Sequence, residues 1–141
     1  MSDQHAVDMA SIEALSVVFA AALVWLSALV QNLTTFVQRG TQYTLSDRSL
    51  PPSQAGFFGR ATRTLSNNME SALMWVPPVV VILVLHHTSS ISHLAAQTYL
   101  GARAVFVVSY WFGIPVIRSA AWFVGMVCCA TVAVLAVGAV W

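Results

Sequence analysis

The stretch Arg63-Thr64-Leu65-Ser66-Asn67-Asn68-Met69-Glu70, followed by the apolar run Ser71 to Leu85, decides the fold. Arg63, Asn67 and Glu70 are spaced i, i+4 and i+7, which sets them on one helical stripe within an arc of about 60°. The run after them reads as membrane-embedded. A charged side chain near the middle of a bilayer costs roughly 2.5–3.5 kcal/mol on insertion scales, so it is paired, turned to water or functional. A second polar stripe, Arg103 to Tyr110, interrupts a later apolar segment and reads as the partner of the first.

Composition points the same way. The chain has 141 residues, 58% hydrophobic and only 8% charged, against about 25% charged in globular proteins. That length holds one helical bundle and no separate soluble domain of useful size. With a net charge of +1, no basic patch argues for nucleic acid. All 6 basic residues are arginine, which keeps its charge when buried and grips carboxylates in a forked manner. Cys128 and Cys129 are adjacent within an apolar helix, so they point to different faces and read as small apolar filling rather than a disulfide. No metal-ligand spacing is present. The N-terminus carries Asp3, Asp8 and Glu13 and no basic residue, so the first apolar run reads as a retained helix rather than a secretory signal.

Four apolar segments approach or exceed the roughly 20 residues needed to cross a hydrocarbon core. The expected all-α fold is therefore an integral membrane four-helix bundle, one domain over 1–141, with helices at about 12–37, 55–86, 93–113 and 116–140. Continuous rather than alternating apolar runs exclude a sheet. Gly40, Ser46-Asp47 and Pro51-Pro52 mark the first loop, with Pro51, Pro52 and Ser53 suiting the start of the second helix. Pro77-Pro78 should kink that helix and free the carbonyls near Leu73 and Met74. His86-His87 and Gly113-Ile114-Pro115 form the shorter connections, and a loop role for His86, His87 and His93 outweighs a metal reading.

Arg39, Arg48 and Arg60 lie in or beside the first loop and Arg118 beside the third, while the second loop has no arginine or lysine. The positive-inside rule then makes loops 38–54 and 114–115 cytoplasmic and puts both termini on the other side. Glu70 lies about ten residues, or roughly 15 Å, beyond Arg60, and Arg103 a similar distance above the third turn. The two should meet at one level, with Arg63, Ser66 and Tyr110 nearer the cytoplasmic mouth and Arg118 and Ser119 opening the fourth helix there.

Arg63-x-x-x-Asn67-x-x-Glu70 before a proline-bearing helix resembles the signature of MAPEG proteins, the membrane-associated proteins of eicosanoid and glutathione metabolism. Ala102-Arg103 with Tyr110, then Ile114-Pro115-x-x-Arg118-Ser119, is similar to that family's second half, and Gly40-x-x-Tyr43 with Ser46-Asp47-Arg48 suits its first loop. The resemblance covers nearly the whole chain and points to the short bacterial branch. It implies a homotrimer in the bacterial inner membrane, with glutathione as co-substrate held between subunits near the cytoplasmic face and a lipophilic small molecule arriving through the bilayer. By the same resemblance, Arg63, Asn67, Glu70, Arg103 and Tyr110 are candidate glutathione contacts. Arg118 and Ser119 are the candidate catalytic residues, stabilising a thiolate that would otherwise be mostly protonated. The implied chemistry is thiolate attack on an electrophile or hydroperoxide, as a transferase or peroxidase.

The chain departs from the family pattern at Ser66, where an arginine is typical, at Phe106, where some members carry histidine, and at Trp122, sometimes a tyrosine. Plainer roles stand beside these. Glu70 with Arg103 also reads as a structural interhelical ion pair and Asn67 as interhelical glue. Arg60 and Arg118 also read as cytoplasmic anchors, and Tyr110 with Trp111 as part of an aromatic belt. A non-enzymatic membrane protein binding a lipid or protein partner through the same cleft is a second reading of function. A small four-helix transporter is a third.

Overall fold

The computed structural model describes residues 2–47 and 55–141, with side chains from Ile12 onward. Among these are four helices, α1 (Ser2–Thr44), α2 (Gly56–Val84), α3 (Ser90–Phe112) and α4 (Pro115–Val140), and no strand. Arg48 and the Pro51-Pro52-Ser53 helix start lie outside the described residues.

The helix ends follow local chemistry. α1 extends beyond the expected 12–37 at both ends, and Gly40, expected in the loop, is a break inside it (φ 74, ψ 178). The helical turn that follows reaches Thr44, whose hydroxyl donates to the Gly40 carbonyl at 2.9 Å. α2 runs on through Pro77 and Pro78. α3 begins three residues earlier than expected because Ser89 and Ser92 form a reciprocal capping box. Serine at the fourth position is weaker sequence punctuation than the usual Glu or Gln. Pro115 occupies the first turn of α4, where a missing N–H is harmless.

α3 ends at Gly113, in the left-handed region at φ 73. The Gly113 N–H donates to the Tyr110 carbonyl and the Ile114 N–H to the Ser109 carbonyl, closing the helix. A side chain at φ 73 is strained, so Gly113→Ala should destabilise the protein by about 1–2 kcal/mol. The midpoint of thermal unfolding in mild detergent measures this.

Burial is inverted relative to a soluble protein. The interior holds many small residues, among them Ala20, Ala61, Ala95, Ala96 and Cys128, while Val18, Trp25, Leu73, Val84 and Val134 face outward. Small side chains let helix backbones approach in a membrane, where lipid gives no hydrophobic force between helices. The segments Ile12–Thr44, Gly56–Val84 and Pro115–Val140 are long and apolar enough to span. α3, expected to be a fourth such segment, is not among them. Its 23 residues give about 35 Å of helix, but Ser92, Gln97, Arg103 and Ser109 dilute its hydropathy. It packs along α4 and α1 and places Ser92, Arg103 and Ser109 inside the bundle, while Gln97 stays exposed.

Two apolar clusters fill the interior. One is built on Trp75, Val79, Tyr99, Cys129 and Val132, the other on Leu23, Phe106, Val107, Tyr110 and Ala121. Cys128 and Cys129 are both buried and free, within the first cluster. Trp75 and Tyr99 stack with centroids 3.9 Å apart and planes 3° from parallel. Between the two clusters, along α3, lies Arg103.

Candidate functional site

Arg103 is only 2% exposed. Its guanidinium donates to the side-chain oxygen of Asn68 and, at 3.4 Å, to the main-chain oxygen of Asn67. Its carbon Cζ sits 4.2 Å above the Phe106 ring. Asn68 in turn donates to Ser27 of α1 at 2.7 Å, so three helices meet at one polar junction. One turn along α2, Ser71 shares a hydrogen bond of 2.9 Å with the Tyr99 hydroxyl. On the α4 side the Arg103 stem passes Gly125, where a side-chain carbon would lie 3.5 Å from its Cδ.

This junction corrects the expected pairing of Arg103 with Glu70. Residues 68 and 70 point about 200° apart around a helix, so turning Asn68 inward turns Glu70 outward. Glu70 is exposed and accepts from Ser66 at 3.1 Å along its own helix. Arg63 is exposed on the same side of α2, while Asn67 lies at the boundary and donates to the Arg63 carbonyl at 3.2 Å.

Nearer the end where α3 finishes and α4 begins, a cleft of about 250 Å³ is lined by Asn67, Phe106, Tyr110, Arg118, Ser119 and Trp122. α3 supplies Phe106 and Tyr110 one turn apart, and they meet edge to face at 5.3 Å. α4 supplies Arg118 from its first turn, with Cζ 4.9 Å from the centre of the Tyr110 ring. The order Arg103, Phe106, Tyr110, Arg118 is therefore a column in which two aromatic rings lie between two guanidinium groups. Each cation rests on a ring face, an arrangement worth about 0.5–2 kcal/mol according to solvation. The cleft thus combines an arginine, a hydroxyl and an amide with aromatic walls, and it suits a ligand with an anionic end and an apolar body.

Of the residues singled out in the sequence, Asn67, Tyr110, Arg118 and Ser119 come together here. Arg103 stands behind the Phe106 wall, and Arg63 and Glu70 lie outside the cleft. Arg60 donates to the Trp111 carbonyl at 3.1 Å, tying the start of α2 to the end of α3. Arg39, Arg60 and Arg118 accordingly gather at one end of the bundle. Phe106 and Trp122 are walls of the cleft itself.

Two buried polar residues escaped the sequence reading. Asn68 could have been found from the stripe Thr64, Asn68, Ser71 and Trp75, all buried on α2. Glu13, expected only as part of an acidic N-terminus, is 0% exposed and accepts from Ser92 at 2.6 Å. Nothing in its spacing distinguishes it from a surface acid.

The family model for the MAPEG family matches residues 12–138. No curated protein and no solved structure matches the chain. A match over all four helices, across the Arg103 junction and the Arg118 cleft, shows that this chain belongs to the MAPEG family.

Proposed function

We propose that this protein binds glutathione in the Arg118 cleft and uses its thiolate against lipophilic electrophiles or hydroperoxides, as a membrane transferase or peroxidase. The observation that carries this reading is the convergence of Asn67, Tyr110, Arg118 and Ser119 on one cleft beside aromatic walls. Arg118 and Ser119 would stabilise the thiolate, one by charge and the other by hydrogen bonding. Asn67 and Tyr110 would orient the peptide. In transfer, the thiolate forms a carbon–sulfur bond as the electrophile loses its leaving group or takes up a proton. In hydroperoxide reduction, the thiolate takes the terminal oxygen and the alkoxide leaves as an alcohol, after which a second glutathione forms the disulfide and releases water.

The proposal includes a homotrimer. Arg63, Ser66 and Glu70 form an outward polar stripe on a helix of spanning length, and exposing charge to lipid costs roughly 2.5–3.5 kcal/mol per residue. A neighbouring subunit over this stripe would remove that cost and bring Glu70 to a ligand held across the boundary. The arginines at one end favour cytoplasmic placement of the α1–α2 and α3–α4 connections, with both termini of this chain opposite, and the resemblance to the short bacterial branch favours the bacterial inner membrane.

Purified protein in detergent should bind glutathione saturably by calorimetry, and Glu70→Gln should weaken binding severalfold. Absence of binding at millimolar glutathione would overturn the enzymatic reading. The apolar walls Phe106 and Trp122 favour, as a second reading, a non-enzymatic member that holds a lipid in this cleft. A specific lipid copurifying with protein inert toward glutathione would establish it.

A further inference from the structure

Glu13 lies at the opposite end of the bundle from the Arg118 cleft, against the first turn of α3. It is wholly buried within a spanning helix. One carboxyl oxygen, Oε1, accepts from the Ser92 hydroxyl at 2.6 Å. The other, Oε2, has no hydrogen-bond partner among the described residues. The same Ser92 hydroxyl lies 2.9 Å from the Ser89 carbonyl, so the carboxyl faces a small group of oxygens. On its other flank, Ser16 donates to the Glu13 carbonyl at 2.6 Å and accepts from the Trp75 indole at 2.9 Å. That pair of bonds locks the α1 turn against α2 and leaves the carboxyl little freedom to swing out.

Charge around this carboxyl is lopsided. The arginines of the chain are Arg39, Arg48, Arg60, Arg63, Arg103 and Arg118, there is no lysine, and on α1 itself Asp3, His5 and Asp8 precede Glu13 with side chains outside the described residues. The nearest along α3 is Arg103, about three turns or about 16 Å from Ser92. The facing part of α2, Ser71 to Val84, and the part of α4 beyond Cys129 carry no charged residue. On α3 the titratable neighbours are His93, whose ring nitrogen Nε2 is bonded to Gln97, and Tyr99, bonded to Ser71. His86 and His87 are exposed in the following loop. The first turn of α3 has no acidic residue of its own and offers Glu13 only its partial positive end. An acid so placed inside a membrane needs a full positive partner or a proton.

We infer that Glu13, with the oxygens of Ser92 and Ser89, is a binding site for one small monovalent cation, a proton or a sodium ion. An all-oxygen donor set suits a hard cation. The orphan Oε2 is the position from which it would be held. The inference does not depend on glutathione.

A hydrophobic carbodiimide, which reacts with protonated carboxyls in apolar surroundings, tests it on the full-length protein in detergent, with the modified residue located by mass spectrometry. Glu13 should be labelled, and labelling should fall severalfold as pH rises. Slowing by sodium chloride but not choline chloride at fixed pH identifies sodium as a ligand, and equal rates in the two salts identify the proton alone. As a second readout, the carboxylic-acid band that wild type shows and Glu13→Gln lacks in the infrared should weaken with rising pH or added sodium. Ser92→Ala, which removes a donor atom without adding bulk, should shift both responses. Folded protein in which Glu13 resists the reagent, or reacts at a rate independent of both pH and sodium, would overturn the site and leave only a structural carboxyl.

Discussion

Asn68→Leu is expected to destabilise the bundle by about 3 kcal/mol, the scale of a lost hydrogen bond to a buried charge. Leucine shares the branched heavy-atom skeleton of asparagine, with bulkier methyl ends, and removes its side-chain acceptor. Arg103 would then hold a buried guanidinium against a main-chain oxygen at 3.4 Å and the face of Phe106. Ser27 would at the same time lose Asn68, the one side-chain donor to its hydroxyl among the described residues. Asn68→Asp restores an acceptor for both Arg103 and the Ser27 hydroxyl, so it should retain most of the stability. Asn67→Leu, one residue away at the cleft, should cost far less. Thermal unfolding of the three variants in the same detergent separates these cases. An unchanged midpoint for Asn68→Leu would mean that Arg103 finds another acceptor.

Arg118→Ala should leave the fold intact and lower glutathione-dependent turnover about a hundredfold or more, the scale of losing a preorganised electrostatic donor at a reacting centre. Arg118 is half-buried in the first turn of α4 and is held by the Tyr110 ring. Removing it therefore empties one wall of the cleft without opening the interior. Thiolate formation gives a readout separate from turnover. Bound glutathione absorbs in the ultraviolet as thiolate, and this absorbance at neutral pH should be present in wild type and absent in Arg118→Ala. Arg118→Lys should recover part of it by charge, yet not the stacked geometry on Tyr110. Equal thiolate signal in wild type and Arg118→Ala would move the activating role to another residue.

Four helices and the α3–α4 turn were legible because proline, glycine and apolar runs speak locally, whereas Gly40, expected in the first loop, lies inside α1. Gly113 and Pro115 mark the α3–α4 turn directly, counting rise per residue grouped Tyr110 with Arg118 and Ser119, and Asn67 joined them through the family resemblance. What the sequence could not show was which face of α2 turns inward. In water the apolar face is the buried one, but Leu73 on the outside of α2 is as apolar as Val79 within. Periodicity therefore related Arg63, Asn67 and Glu70 to one another without orienting them. The pairing of Glu70 with Arg103 fell on that ambiguity, and the structure gave the place to Asn68. Glu13 was obscured differently, since an acid at the head of an apolar run reads as a solvated flank until Ser92 of another helix is seen beside it.

Gly125 and Arg103 are best regarded as a single decision made across two helices. The stem of Arg103 lies against position 125, where a single side-chain carbon would already touch it in ordinary van der Waals contact, 3.5 Å from Cδ. Alanine fits there, whereas valine or leucine competes with the arginine for the same space. Substitutions at the two positions will therefore not add, and a larger residue at 125 becomes acceptable once 103 is shortened. In redesigning this bundle, the charge near the middle of α3 is allotted by a residue on α4 that has no side chain at all.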